Sequence, residues 1–174
     1  MKKLDDYSQR FADVLFQTFP DWKEFLSVQS ENDSDEEGYF LVKVPAPVKS
    51  LIPSSLLPDY EDFLTVDSDG EITVGFDYYH THFDMFSGTD EAQEFNQAVE
   101  FIQSIVEERI CPVVILNGNE WCGSTSVDAG EKPDLSNWQN LGSSCQDVYV
   151  RSWRGTFNRK YNVAEVRVEN KGAS

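Results

Sequence analysis

Apolar side chains recur at two different periods along the chain, and each period predicts a different kind of element. Helical spacing runs through residues 4–19 and again after Glu91. Asp5 and Asp6 stand near the start of the first segment, where the helix dipole favours acidic side chains, and Pro20 interrupts its end. The second stripe contains Phe95, Ala98, Val99, Ile102, Ile105 and Val106, and its opposite side carries Glu94, Glu100, Glu107 and Glu108. We therefore predict two amphipathic helices, with a short helical continuation after Pro20.

Period-two alternation and short apolar runs predict the strands. Residues 63–66 and 71–76 flank a turn that contains glycine, which is typical of a hairpin. Residues 113–116 are apolar on both faces, which favours a central strand. The other predicted strands are 39–44, 147–153 and 159–163. This order of elements predicts one α+β domain over residues 1–174, with a largely antiparallel sheet and helices packed on one side.

Both histidines of the chain lie in the segment Gly75–Asp84, with the sequence GFDYYHTHFD. If this segment continues the preceding strand, alternation places His80, His82 and Asp84 on one face. The same face then carries Ile72, Val74, Phe76 and Tyr78, while Asp77, Tyr79, Thr81 and Phe83 lie on the other. An apolar face that ends in a polar cluster is typical of a metal or acid/base site, or of a polar, aromatic patch that borders a sheet or meets a partner.

Composition narrows the class of partner. The chain has twelve Phe, seven Tyr and four Trp, so it is too aromatic for a disordered acidic tail, although its formal net charge is −17. That charge repels phosphate groups, so we expect neither nucleic acid nor an anionic membrane as a partner. It accelerates association with a basic protein, although acidity also serves solubility.

Cysteine usage and the first residues of the chain bear on its compartment. Cys111, Cys122 and Cys145 are an odd number without CxxC spacing, which indicates neither a zinc knuckle nor a complete disulfide framework. The chain turns acidic at Asp5, where a signal peptide needs an apolar core, and no apolar run approaches the length of a membrane span. These features predict a reducing, cytoplasmic location.

An enzyme is the first alternative, as a small metal-dependent hydrolase that uses His80, His82 and Asp84. Two histidines two residues apart on a strand can converge on a divalent cation with a nearby carboxylate. A catalytic site typically needs a third protein ligand, however, and the sequence has no third histidine. Residues 123–126 do not match a GxSxG elbow, and phosphate-loop, GxGxxG and HExxH motifs are missing from the sequence. We therefore expect no catalysis and no cofactor.

Two stretches mix aromatic and polar side chains in the manner of protein-binding faces, where Trp, Tyr and Arg dominate the binding energy. The first extends from Trp121 to Trp138 and includes Asp128 and Glu131. The second contains Trp153, Arg154, Phe157 and Tyr161. The same rings can instead cap a core, because Trp and Tyr combine an apolar body with a polar tip.

The acidic, motif-poor chain with the segment Gly75–Asp84 resembles the immunity proteins of bacterial polymorphic-toxin and contact-dependent growth inhibition systems. This resemblance rests on general character over the full length and on that one segment. It implies a cytosolic antidote that binds a cognate toxin domain, often a basic nuclease, and blocks its active site without chemistry of its own. The candidate toxin-binding residues are Asp77, Tyr78, Tyr79, His80, His82, Asp84, Trp121, Asp128, Glu131 and Trp138. An adaptor or structural protein without a toxin partner is the second alternative.

Overall fold

The computed structural model describes residues 2–32, 35–53, 62–84, 90–136, 138 and 145–166. Within these ranges the chain forms ten strands in two mostly antiparallel sheets, together with α-helices and a 3-10 helix. The predicted α+β class with largely antiparallel pairing is therefore confirmed. The strands are divided between two sheets, whereas the sequence predicts one.

The elements have the following bounds. The strands are β1 (Lys3–Leu4), β2 (Leu26–Gln29), β3 (Glu37–Pro45), β4 (Phe63–Asp67), β5 (Ile72–Phe76), β6 (Tyr79–Phe83), β7 (Ile110–Asn117), β8 (Glu120–Asp128), β9 (Asp147–Val150) and β10 (Arg159–Asn162). The helices are α1 (Asp6–Thr18), α2 (Glu91–Val106), α3 (Val163–Val166) and the 3-10 helix Pro20–Phe25. One sheet has the order β1-β3-β4-β5-β6, with β2 also paired to β3, and the other has the order β10-β9-β7-β8.

The chain divides into two compact units. The first comprises Met1–Ala46, Phe63–Phe76 and His80–Gln103. The second comprises Pro47–Asp62, Asp77–Tyr79 and Ser104–Ser174. The chain thus passes between the units several times, and the single domain over residues 1–174 stays a prediction.

In the first unit, the predicted amphipathic helices share an apolar layer with the sheet. The Asp5 side chain accepts a hydrogen bond from the Ser8 backbone N–H at 2.7 Å and caps α1. Phe11 of α1 is fully buried, and its ring centroid lies 5.4 Å from that of Phe40 on β3 and 5.1 Å from that of Phe95 on α2. Burial of these rings stabilises the unit through the hydrophobic effect.

Two glutamates that the helical pattern places on the exposed side of the second helix are buried. Glu94 lies within α2, and Glu108 lies just after its end. Glu94 is 1% exposed, and its Oε1 accepts a hydrogen bond from the Tyr7 hydroxyl. Burial raises the pKa of Glu94, the bond from Tyr7 lowers it, and the nearby carboxylate of Glu91 raises it. Glu108 is also buried, and its Oε1 accepts the backbone N–H of Arg154 at 2.7 Å, which compensates the carboxylate for lost water.

In the second unit, β7 is the central strand that the sequence predicts, paired with β8 on one side and β9 on the other. One of its faces joins the buried cluster of Val113, Ile115, Leu135, Val148 and Val150. Trp153 is buried, and Phe157 and Tyr161 pack against this cluster, so the second aromatic stretch belongs largely to the core. None of the described helices is long and apolar enough to cross a membrane.

Candidate protein-binding surface

The sequence-based prediction requires the histidine segment to continue β5 as one strand. In the structure, the segment does not continue β5. β5 ends at Phe76, a turn follows at Asp77 and Tyr78, and β6 begins at Tyr79 beside β5. Asp77 has a φ of 57°, a left-handed conformation that aspartate tolerates better than most residues. The chain therefore reverses at Asp77, and β6 forms the edge of the first sheet.

This reversal changes the face on which the histidines lie. Ile72 and Val74 are fully buried, whereas His80 and His82 are exposed. Thr73 Oγ1 lies 3.1 Å from His82 Nδ1, so the histidines share the face of Thr73. The predicted common face of His82 with Ile72 and Val74 is wrong, because a two-residue turn inverts the pattern of inward and outward side chains.

The two imidazole rings contact each other and the edge of their own sheet. Their centroids are 5.1 Å apart in an edge-to-face arrangement, and His82 Nδ1 lies 2.7 Å from Glu71 Oε1. Among the described residues, no group of three or more His, Cys, Asp or Glu side chains is placed to hold a metal ion. His80, His82 and Asp84 are thus not assembled as the three-ligand cluster of the hydrolase alternative.

Asp77 is a predicted binding residue whose carboxylate is buried. Its side chain is 0% exposed; Oδ2 lies 3.5 Å from Arg151 Nε and accepts the Ser50 hydroxyl at 3.0 Å. The Arg151 side chain is 2% exposed and also donates to the backbone carbonyls of Val48 and Lys49. These contacts join separate segments of the second unit, so the structure gives Asp77 a role in stability.

The remaining residues of the segment differ in exposure. Tyr78 packs against a buried cluster that includes Val114 and Leu116, and therefore contributes to the core of the second unit. Tyr79 and Asp84 are half-buried. Of the candidate residues between 77 and 84, the two histidines present the largest exposed fractions.

β8 carries the most exposed aromatic side chain of the described structure. Trp121 is 51% exposed, and Leu51, at 44%, is the other large hydrophobic residue that the described part of the chain exposes. Exposed acidic residues stand at both ends of β8: Glu120 directly precedes Trp121, Asp128 ends the strand, and Glu131 follows the turn after it. An exposed apolar ring on a strand with acidic ends fits a partner that offers an apolar pocket and basic groups.

Trp138 lies in a different environment from Trp121. It is half-buried and packs against the core of the second unit. A Cβ atom at Gly123 would lie only 2.7 Å from Trp138 Cζ3, so the ring covers the backbone of β8 at this glycine. Trp138 thus caps the core, and Trp121 is the exposed tryptophan of this stretch.

A disulfide joins Cys122 to Cys145, and Cys111 is a buried free thiol whose pKa burial raises to about 11. The register between β7 and β8 shifts at Ile115 and leaves Cys122 outside the ladder, as in a β-bulge. The sequence indicated no complete disulfide framework and did not predict this single bond. The bond itself is more typical of an oxidising compartment than of the predicted reducing one.

The sequence did not predict β8 as a strand, with Ser124 and Ser126 in its middle, and Glu120 was not among the candidate binding residues. The strand alternates weakly because its middle consists of small polar residues, so hydrophobic periodicity had no signal to detect.

Comparison of the chain with protein-family models, with curated proteins and with solved structures found no match. The function therefore has to be argued from the residues themselves.

Proposed function

We propose that this protein is an immunity protein that binds and neutralises a cognate, basic toxin domain in the cytoplasm without catalysing a reaction. The observation that supports this proposal is the exposed ring of Trp121 next to Glu120, on an edge strand whose other end carries the exposed Asp128 and, just beyond it, Glu131. Tryptophan is the residue type most enriched among the anchors of protein interfaces. Burial of the half-exposed ring against a partner removes apolar surface from water.

The net charge of −17 supports a basic partner. Opposite charge steers two proteins together and raises the association rate, and salt screens this effect. We therefore expect the association rate with the toxin domain to fall as ionic strength rises, while dissociation changes less. Nucleic acid is repelled by the same charge, so the proposed mode of protection is occlusion of the toxin and not competition on its substrate.

The test measures binding to the cognate toxin domain, which we expect to be encoded immediately upstream of this gene. Trp121→Ala is expected to weaken binding by roughly 30-fold or more, which corresponds to the loss of about 2 kcal/mol at an interface anchor. Leu51→Ala is the matched control, because Leu51 is similarly exposed but lies outside the acidic stretch. We expect the control to retain full affinity and to protect cells that express the toxin.

Two results would contradict the proposal. Absence of binding by the wild-type protein, together with no protection of toxin-expressing cells, would favour an adaptor or structural role. Stoichiometric zinc or manganese in protein purified without a His tag, lost in the His80→Ala/His82→Ala variant, would favour the hydrolase alternative. Equal effects of Trp121→Ala and Leu51→Ala would leave the binding proposal intact but remove Trp121 as its anchor.

A further inference from the structure

Among the described residues, the outer edge of β8 is an open hydrogen-bonding edge. β8 ends the second sheet and pairs with β7 alone, over a regular register from Gly123 opposite Ile115 to Asp128 opposite Ile110. Within the described ranges, no backbone group pairs with the other side of this strand. An edge strand of this kind is a template for an additional strand.

The hydrogen bond that follows β8 shows which residues face outward. The Ala129 N–H donates to the Arg109 carbonyl at 2.9 Å, so this pair is a hydrogen-bonded pair of the antiparallel ladder. Such pairs alternate with non-bonded ones, so Thr125 directs its backbone groups toward β7. Ser124 and Ser126 consequently direct their N–H and C=O groups away from β7, to the open edge.

The other side of β7 supports this assignment independently. The Pro112 carbonyl accepts the Arg151 N–H at 2.8 Å on the side of β9. Pro112 is also the residue opposite Ser126 in the register with β8. Because the carbonyl of Pro112 points to β9, it does not bond Ser126, and the backbone groups of Ser126 remain directed outward.

The side chains of this edge do not protect it against pairing. Natural edges are blocked by lysine, proline or inward-pointing charge, and residues 123–127 contain none of these. Acidic residues stand instead at the two ends, with Glu120 on one side and Asp128 and Glu131 on the other, all exposed. An incoming strand would therefore be favoured if its middle is uncharged and its ends are basic.

We propose that the outer edge of β8 binds the toxin partner by accepting an extended segment of it as a fifth strand of the sheet. This inference rests on the proposed function and names the contact: main-chain hydrogen bonds at Ser124 and Ser126, ion pairs at the two acidic ends, and Trp121 beside the added strand. To reach from Glu120 to Asp128, the incoming segment spans about nine residues, or roughly 30 Å of extended chain.

A second copy of this chain is a poorer occupant of the same edge. Antiparallel self-pairing centred on Ser124 would set Glu120 of one copy opposite Asp128 of the other. Parallel self-pairing would set each acidic residue beside its own counterpart. Like charges directly opposite each other destabilise a strand pair, so charge complementarity favours the basic partner.

The test compares Ser126→Pro with Ser126→Ala in binding to the upstream-encoded toxin domain. Proline removes the outward N–H without breaking a bond to β7, whereas alanine keeps the N–H and removes the hydroxyl. We expect Ser126→Pro to weaken binding roughly tenfold, as expected for one or two lost hydrogen bonds, and Ser126→Ala to bind within about twofold of wild type. Circular dichroism and thermal unfolding establish that both variants are folded.

Hydrogen exchange on the wild-type protein gives a second readout that needs no variant. The amides of Ser124 and Ser126 are expected to exchange fast in the free protein and slowly in the complex. If wild type does not bind the toxin domain at all, the proposed function fails. If it binds, but proline and alanine variants bind equally and these amides gain no protection, the edge inference fails and the proposed function stands. A dimer of the free protein that Ser126→Pro dissociates would assign the edge to a second copy and overturn the proposal.

Discussion

Replacement of Asp77 by asparagine separates a role in stability from a role in binding. The Asp77 carboxylate is 0% exposed and lies 3.5 Å from the guanidinium of Arg151, whose side chain is 2% exposed. Asparagine keeps the shape of the side chain and tolerates the φ of 57°, so the substitution removes mainly the charge. Arg151 then keeps one carboxylate nearby, since its Nη2 lies 3.5 Å from Oδ1 of Asp62.

The expected cost follows from the burial of the pair. Removal of one partner of a buried ion pair costs about 3–5 kcal/mol, because the remaining charge is left poorly compensated. The charge of Arg151 is still partly compensated by Asp62 and by the backbone carbonyls that accept its hydrogen bonds. We therefore expect Asp77→Asn to lower the free energy of unfolding by about 3 kcal/mol, the lower end of this range. For a chain of this length that corresponds to a fall of roughly 6–12 °C in Tm.

The assay is urea denaturation followed by tryptophan fluorescence, with Asp128→Asn as the matched control. Asp128 is an exposed carboxylate on β8, so its replacement is expected to change the free energy of unfolding by less than about 0.5 kcal/mol. A change of the same small size in Asp77→Asn would refute the structural role. Weaker toxin binding by Asp77→Asn at unchanged stability would restore Asp77 as a contact residue.

Two further predictions concern titration and redox state. Burial holds the pKa of Glu94 above its ordinary value of 4.5, so the ionised form opposes folding and its cost appears as pH rises above 4.5. The stability of Glu94→Gln relative to wild type should therefore increase between pH 4 and 7 in denaturation curves, and a difference that stays constant or decreases would contradict this assignment. Reduction of the bond between Cys122 and Cys145, which are 23 residues apart, should lower the free energy of unfolding by about 3 kcal/mol. Alkylation of the denatured, unreduced protein should modify Cys111 alone. If the protein acts as a cytoplasmic antidote, its binding to the toxin domain should persist in the presence of a reductant.

Local periodicity was sufficient to predict a large part of the fold. The helices α1 and α2, the hairpin of β4 and β5, and the central strand β7 were all predicted from the spacing of apolar residues. Each of these elements buries one stripe or face, so the spacing of its apolar residues can be recognised within a single segment of sequence. Composition also predicts a basic partner, because net charge is a sum that does not depend on the fold, and this class of partner stays a prediction.

The candidate site could not be assembled in the same way. In the sequence, Asp77 is a polar residue next to an aromatic run, which predicts exposure. In the structure its side chain is buried against Arg151, which is far along the chain. The two tryptophans of the first aromatic stretch are indistinguishable in sequence, yet Trp121 is exposed and Trp138 covers Gly123. Exposure depends on which neighbours are brought close, and those neighbours come from other segments.

The sequence by itself determined where apolar stripes form helices and strands, and that the protein is strongly acidic. The tertiary structure decided which face the histidines occupy, which polar groups are buried, and that β8 is the last strand of its sheet in the described part of the chain. The physical reason is that hydrophobic periodicity is a local property of the chain. The partner of a charge, a ring or a strand edge is set by residues distant in sequence, and only folding brings them together.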